Sequence, residues 1–180
     1  MNTIFFSDIH GLPSTLEKLF EQADQLHADL LVLMGDVLYH GPRNGVPGAY
    51  DPNRVAALLN GRKDQILAVR GNCDCDVDQM LLDFPIMSDY AQLAIDGRRF
   101  FLTHGHLYHR DYMPSLPKGS VFVQGHTHIP ALEELSTGIT FLNPGSISLP
   151  KGGNLPTFAF YDGKELTLRL LKDGSLYQPK

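Results

Sequence analysis

The sequence predicts an α/β protein in which two β-sheets pack face to face with helices outside them. Three observations predict it. Short apolar strands alternate with helical repeats through the first seventy residues, the remainder breaks into short strands around Gly-containing turns, and polar steps follow directly on the strand ends.

The elements follow in order. A strand over 2–6 opens the chain, and residues 12–26 carry Leu12, Leu16, Leu19, Phe20, Ala23 and Leu26 at helical spacing. A second buried strand is expected over 30–34, a helix over 53–59 and a third strand over 66–69. Alternation of this kind implies parallel βαβ units, in which ligands sit beyond the carboxyl ends of the strands. Asp8, His10, Asp36 and Asn72 fall at those ends. Beyond residue 90 the pattern changes. Strands over 91–95 and 99–103 flank Asp96-Gly97, a strong hairpin signal, and Asp162-Gly163 marks a second hairpin. Further strands are expected over 121–124, 132–135, 139–142, 157–161 and 165–170, so this half reads as antiparallel or mixed sheet. The longest irregular stretch, 39–52, holds three prolines and three glycines, a length uncommon without a function. Residues 1–180 read as one domain, with no internal repeat and no low-complexity linker.

Composition bounds the function. The 180 residues are 43% hydrophobic and 19% charged, which suits a single sizeable core and excludes a disordered chain. A net charge of −5 opposes broad electrostatic binding, so no stable nucleic-acid complex is expected. The two cysteines, Cys73 and Cys75, stand too close for an unstrained disulfide. The first ten residues lack the basic start of a signal peptide, and no apolar run approaches the roughly 20 residues that cross a bilayer. A soluble, cytoplasmic protein without a membrane partner is expected. The ordinary hydrophobic content neither requires nor forbids a homo-oligomer.

Histidine is the odd component, with eight residues, five of them between positions 104 and 128. Five polar motifs stand at strand ends: Asp8-Ile9-His10, Gly35-Asp36, Gly71-Asn72-Cys73-Asp74, Thr103-His104-Gly105-His106 and Gly125-His126-Thr127-His128. In extended backbone the pairs Asp8/His10 and His126/His128 would each send both side chains the same way. Taken singly, these motifs are unremarkable in chemistry. Gly-Asp and Gly-Asn are ordinary turns, a single His-x-His can decorate a surface, and Asp8 could cap the next helix. Five in succession, each directly after an apolar strand, favour metal binding. Mixed carboxylate, amide and imidazole donors suit Mn²⁺, Fe²⁺, Zn²⁺ or Ni²⁺.

In this order the motifs resemble those of the calcineurin-like metallophosphoesterase superfamily, over nearly the whole chain. His40-Gly-Pro-Arg43-Asn44, Val69-Arg70-Gly71-Asn72-Cys73-Asp74 and Asn143-Pro144-Gly145-Ser146 are similar to the small bacterial phosphodiesterases of the YfcE type. The resemblance implies a four-layer α/β/β/α sandwich and a phosphodiesterase with two divalent ions, Mn²⁺ first. It also implies that Asp8, His10 and His128 hold one metal, that Asn72, His104 and His126 hold the other, and that Asp36 bridges them. Two such ions lie about 3.5–4 Å apart and share a hydroxide that attacks phosphorus in line. The substrate would be a small phosphodiester. A phosphomonoesterase for activated phosphates is the nearest alternative. The same fold also serves as a scaffold in the small retromer subunit, although all seven ligand positions here carry competent side chains.

One departure stands out. The family motif places His after Gly-Asn, as the acid for the leaving group, and this chain has Cys73. An unperturbed thiol with a pKa near 8.5 is a poor substitute for imidazole, which leaves the general acid without a candidate and disfavours poor leaving groups. Arg43, in the long loop after Asp36, is the candidate substrate contact, level with its reading as an ordinary solvated arginine. His40 and Asn44 are further candidates in that loop. Arg70 is expected to fix its turn or pair with a carboxylate, and Asp74 to be structural or to hold a ligand's ring nitrogen. His106 and His109 are expected behind the ligands or at the surface. His27 is expected to add favourable charge at a helix end, and Asn143-Pro144-Gly145-Ser146 to form a tight turn.

Overall fold

In the computed structural model, which describes residues 1–179, β1 (Thr3–Phe6) is buried at all four positions. Its side chains alternate between two cores, as a strand's must. Ile4 and Phe6 face the helices and Phe5 faces the second sheet. Helix α1 (Pro13–Gln25) starts with Pro in its first turn, where no backbone donor is lost, and buries Leu16, Leu19, Phe20 and Ala23. His27 ends it through its backbone. The residue sits at φ 49°, and Ala28 N then reaches back to Ala23 O at 2.9 Å. Strand β2 (Leu30–Leu33), helix α2 (Pro52–Asn60), capped by the Asp51 carboxylate, and strand β3 (Ile66–Ala68) complete the alternating half. A short helix, α3 (Asp76–Leu81), was not expected. Six residues, with two acidic positions in the first turn and only Val77, Met80 and Leu81 as a single-turn apolar stripe, are too few for a sequence reading to detect.

The second half supplies β4 (Tyr90–Ile95), β5 (Arg98–Thr103), β6 (Val121–Val123), β7 (Ala131–Glu134), β8 (Thr140–Asn143), β9 (Thr157–Tyr161) and β10 (Leu166–Leu170). Asp96 and Gly97 both take positive φ between β4 and β5, the turn that their identities announce. The strands form two five-stranded mixed sheets, ordered β10-β9-β1-β2-β3 and β4-β5-β6-β8-β7. In the first, β1, β2 and β3 are parallel; in the second, β5, β6 and β8 are parallel. The last hairpin therefore crosses back to the first sheet, where β9 runs antiparallel beside β1. Without it, fully buried β1 would be an edge strand with unpaired backbone groups. Its alternation fits both cores, with Phe158 and Phe160 under the helices and Ala159 and Tyr161 between the sheets.

α1 and α2 cover the outer face of the first sheet. Phe5, Val32 and Met34 meet Phe100, Leu102, Val121, Val123 and Leu142 between the sheets. Over the outer face of the second sheet, Phe101, Phe122 and Phe141 are covered by Tyr108, Met113 and Leu116, from a segment without regular helix. Among the described residues no helix is long and apolar enough to cross a membrane. The layered packing brings the carboxyl ends of six parallel strands to a common rim, where the site is built.

Candidate metal centre

β1 ends in Ser7-Asp8 and β2 in Gly35-Asp36, and the two turns are laced together by backbone bonds. Asp8 N donates to Gly35 O, His10 N to Asp36 O and Gly11 N to Val37 O, at 3.0–3.1 Å. The backbone here is not extended, as the pairwise motifs suggested. Asp8, His10, Asp36, His126 and His128 all have φ between 50° and 67°, and they are five of the seven described non-glycine residues with positive φ. The left-handed conformation costs on the order of 1 kcal/mol or more per residue and concentrates at functional sites. Here it curls the chain as it leaves each strand and turns both members of a pair inward. Two glycines make room. A Cβ on Gly71 would collide with the Asp36 carboxylate, and one on Gly125 with the Ser7 hydroxyl.

The turns bring the seven expected ligand positions to one place. His128 Nε2 lies 3.3 Å from Asp8 Oδ1, and His10 Nε2 lies 3.7 Å from both Asp8 Oδ1 and Asp36 Oδ2. On the other side, His104 Nε2 is 3.5 Å from Asp36 Oδ1 and 3.1 Å from Asn72 Oδ1. The two oxygens of Asp36 thus face opposite halves of the cluster. Among the described residues, three donor trios lie within 4.8 Å: Asp8/His10/His128, Asp8/Asp36/His104 and His10/Asp36/Cys73. His126 stands further out, half-buried, with its ring centroid 5.1 Å from that of His104.

Backbone carbonyls fix the imidazole tautomers. His10 Nδ1 lies 2.8 Å from Tyr39 O, His104 Nδ1 2.6 Å from Met34 O and His128 Nδ1 2.6 Å from Leu149 O. A carbonyl only accepts, so each Nδ1 carries the proton and each Nε2 is left with its lone pair turned inward. Burial holds His104 and His128 down to about 4 and lowers His10 as well, so all three rings are neutral at pH 7. Burial, with Asp36 close by, drives the Asp8 carboxyl well above the usual range. Although burial also acts to raise Asp36, its neighbours His104 and the Cys73 N–H outweigh it and hold that carboxyl low. Asp8 Oδ2 accepts from His126 N, while Asp8 Oδ1 is buried without a partner among the described residues. A buried carboxyl oxygen without a hydrogen-bond partner, facing two imidazole lone pairs, is a donor set that a cation would satisfy. The residues fit a divalent metal.

A supporting frame holds these turns, and it was largely invisible in the sequence. Asp74 accepts from Gly71 N, Asp36 N and Val37 N at 2.7–2.9 Å, and burial raises it to about 6. It is structural, clamping the Asp36 and Gly71 turns through backbone N–H groups and not through an imidazole. Asn143 donates from Nδ2 to Gly125 O and to Thr127 Oγ1 and accepts from Gly145 N. The Ser146 hydroxyl donates to Asp8 O and accepts from Ser148 N and Leu149 N. The Asn-Pro-Gly-Ser turn therefore ties the Asp8 turn to the His126-x-His128 turn, a role beyond that of a tight turn.

A cavity of about 300 Å³ opens above the cluster, lined by Asp36, Asn72, Cys73 and His126 and by two cations, Arg43 and Lys151. Arg43 is where the sequence placed it. Lys151 was missed; only its place between the Asn-Pro-Gly-Ser turn and a Gly-Gly pair marks it, and its N–H donates to His128 O at 3.1 Å. Asn44 also lines the cavity, with its Nδ2 on His40 O, and the His40 ring lies between Tyr39 and Tyr50. Arg70 pairs with Asp89 at 2.5 Å. His106 stands behind His104, and His109 sits in the outer segment, where its Nδ1 accepts from Asp111 N. Cys73 Sγ faces the cluster. Burial first, then the neighbouring Asp36, pushes the thiol to about 12.

These strand-end donors are those of a metallophosphoesterase, and a family model agrees. Residues 1–165 match the calcineurin-like phosphoesterase superfamily domain, and the chain belongs to that superfamily. It is 47% identical over 177 residues to phosphodiesterase YfcE of Escherichia coli K12, covering 98% of this chain and 95% of that one. The solved structure of YfcE, a phosphoesterase from E. coli, superposes with a TM-score of 0.95 at 44% identity, over 99% of this chain and 97% of the other. Vps29 of Entamoeba histolytica, solved in complex with Zn²⁺, shares the fold at 18% identity and a TM-score of 0.57, over 98% and 96% of the two chains.

Proposed function

We propose that the protein is a divalent-metal-dependent phosphodiesterase with a dinuclear site. Asp8, His10 and His128 would hold one ion, Asn72, His104 and His126 the other, and Asp36 would bridge them. The observation that carries this reading is the inward convergence of two carboxyl groups and of imidazole nitrogens whose lone pairs are free. Asp8 Oδ1, His10 Nε2, His128 Nε2, His104 Nε2 and both Asp36 oxygens crowd together with no proton to share among the imidazoles. The chemistry supplied by the cations is acidification of a shared water and neutralisation of charge on the phosphoryl oxygens.

The chain's own residues do the rest. The Tyr39, Met34 and Leu149 carbonyls hold the rings in the ligating tautomer, and Asp74 and Asn143 hold the turns that carry them. Arg43 and Lys151, on the cavity wall, meet the anionic phosphate of a small diester. Cys73 stays protonated and gives the leaving group little help, which favours diesters and activated esters over ordinary monoesters. Mixed N and O donors support Mn²⁺, with Zn²⁺, Fe²⁺ and Ni²⁺ as competitors. Two free cysteines support a cytoplasmic setting. The decisive experiment is metal analysis of the purified protein, paired with initial rates on phosphodiesters and phosphomonoesters in added Mn²⁺. Two metals per chain and a preference for diesters are expected. A metal-free protein that stays inert with every added metal would overturn the reading and leave the scaffold alternative.

A further inference from the structure

A second cavity, of about 420 Å³, lies on the outer side of the second sheet, and His126 lines both it and the cavity over the metal cluster. One imidazole therefore separates the phosphate site from this space. The two cavities differ in chemistry. The first has Arg43 and Lys151 on its wall. The second has the Phe141 ring, Ala131 and Ile129, and Ile129 is 45% exposed at its rim. Its one cation, Arg110, is already committed. The guanidinium lies over the Phe141 ring with its carbon 5.3 Å from the centroid, and both amino groups are paired with Glu133 at 2.5 and 2.8 Å. Asp111 adds a carboxylate to the same cavity. A second anionic group meets no uncommitted Arg or Lys there, whereas a neutral ring finds the aliphatic surface of Ile129 and Ala131 beside the guanidinium-covered Phe141 ring. Gln124 accepts from Arg110 N through Oε1, which leaves its NH₂ group to an acceptor on such a ring.

We infer that this cavity is a substrate subsite for a neutral planar ring carried as one ester arm of the phosphodiester. The inference rests on the phosphodiesterase reading and adds the class of diester: one phosphate at the metals and one aryl or nucleobase-like arm beyond His126. A diester has one anionic centre and two uncharged arms, which is the division of character between the two cavities.

The test reads binding and not turnover. Kd values for diphenyl phosphate and dimethyl phosphate are measured by calorimetry on the Mn²⁺-loaded protein and on two variants. Ile129→Asp places a charge at the exposed rim, and Ala131→Phe fills the cavity from strand β7. In the wild type, diphenyl phosphate binds at least tenfold more tightly than dimethyl phosphate, and both variants bring that ratio close to one at unchanged metal content. Equal affinity of the two diesters for the wild type overturns the subsite, as does a ratio that survives both substitutions. Rates on bis(4-nitrophenyl) phosphate are followed separately, so a chain that binds the diaryl ester but fails to cleave it would sink the enzymatic reading alone.

Discussion

His10 and His128 face each other with their Nε2 atoms 3.3 Å apart, and both nitrogens are acceptors, because both Nδ1 protons are given to backbone carbonyls. Two lone pairs at that distance repel, and the buried Asp8 Oδ1, which has no hydrogen-bond partner among the described residues, lies beside them. A divalent ion removes the repulsion and binds only the folded arrangement. Mn²⁺ at about 100 times its Kd should therefore add roughly 2.7 kcal/mol per site. For a chain of this length that raises the melting temperature by about 5–10 °C per site. Differential scanning calorimetry of the chelated protein against a Mn²⁺ series checks it, and a flat series would remove the metal site.

Asp36 presents one oxygen to His10 and the other to His104, and Oδ1 also accepts from Cys73 N. Asp36→Ala should lose metal from both halves, and diester hydrolysis should fall roughly 10³-fold or more, in line with removal of a shared ligand from a two-metal site. Metal analysis and kcat/KM on the same preparation decide the matter. Near-normal activity with full metal content would rule out a bridging role.

The convergence of these donor residues was legible in the sequence because each is a polar residue directly after an apolar strand, and strand ends are where parallel sheets place their sites. The frame behind them was not. Tyr39, Met34 and Leu149 act through carbonyls that every residue possesses, so nothing in their identities announces the role. The left-handed backbone of His126 and His128 was hidden for a similar reason: the motif gives the order of the side chains, but tertiary contacts set φ. Strands β9 and β10 were legible as strands and as a hairpin. Their sheet was not, because strand periodicity is blind to which edge a hairpin meets, and only the need of buried β1 for a partner places them. Lys151 became a site residue because the Ser146 hydroxyl folds its loop onto the Asp8 turn.

Asp74 accepts three buried backbone N–H groups, from Gly71, Asp36 and Val37. Asp74→Ala strands all three, and unmet buried donors cost about 1–3 kcal/mol each before relaxation. A loss of roughly 3–5 kcal/mol is expected in urea unfolding, together with weaker metal binding, since the Asp36 turn loses its anchor. Metal affinity unaffected by Asp74→Ala would show that the Asp36 turn holds its shape unaided.

Acid should destabilise the metal-free protein. His104 and His128 titrate at about 4 when folded, below the ordinary 6.5, because burial disfavours the imidazolium. The unfolded chain then binds more protons between these values, so the stability present above pH 6.5 is lost as pH falls through 4. Asp74 works in the opposite sense. Its folded value of about 6 lies above the ordinary 3.8, so its contribution is present below 3.8 and lost as pH rises through 6. Asp8, also raised by burial, acts with Asp74. His10 and His126, lowered by burial, and Asp36, held low by its neighbours, act with His104 and His128. The acid-labile groups therefore outnumber the others, and the melting temperature should drop by roughly 5–10 °C from pH 7 to pH 4.5. Substituting His128→Gln should flatten the slope; a profile that rises in acid would reverse the assignment.

Cys73 occupies the position where the family pattern has an acid. Its thiol is raised to about 12 by burial and by Asp36, so it stays protonated but is far too weak an acid to match a departing alkoxide at neutral pH. Its backbone N–H donates to Asp36 Oδ1 at 2.8 Å, a bond that a new side chain leaves in place, while its thiol lies beside Asp36 and accepts from Asn72 Nδ2 at 3.3 Å. Cys73→His gives up those thiol contacts but keeps the backbone bond to the Asp36 turn, and it puts an imidazole on the cavity wall. Across a series of aryl diesters, rates should rise roughly 10–100-fold for the most basic leaving groups and change little for 4-nitrophenolate. The plot of log kcat/KM against leaving-group pKa should accordingly become shallower in the variant, with metal content unchanged. A parallel displacement of the whole line would mean that position 73 acts on metal binding or on the nucleophile and not on the departing oxygen.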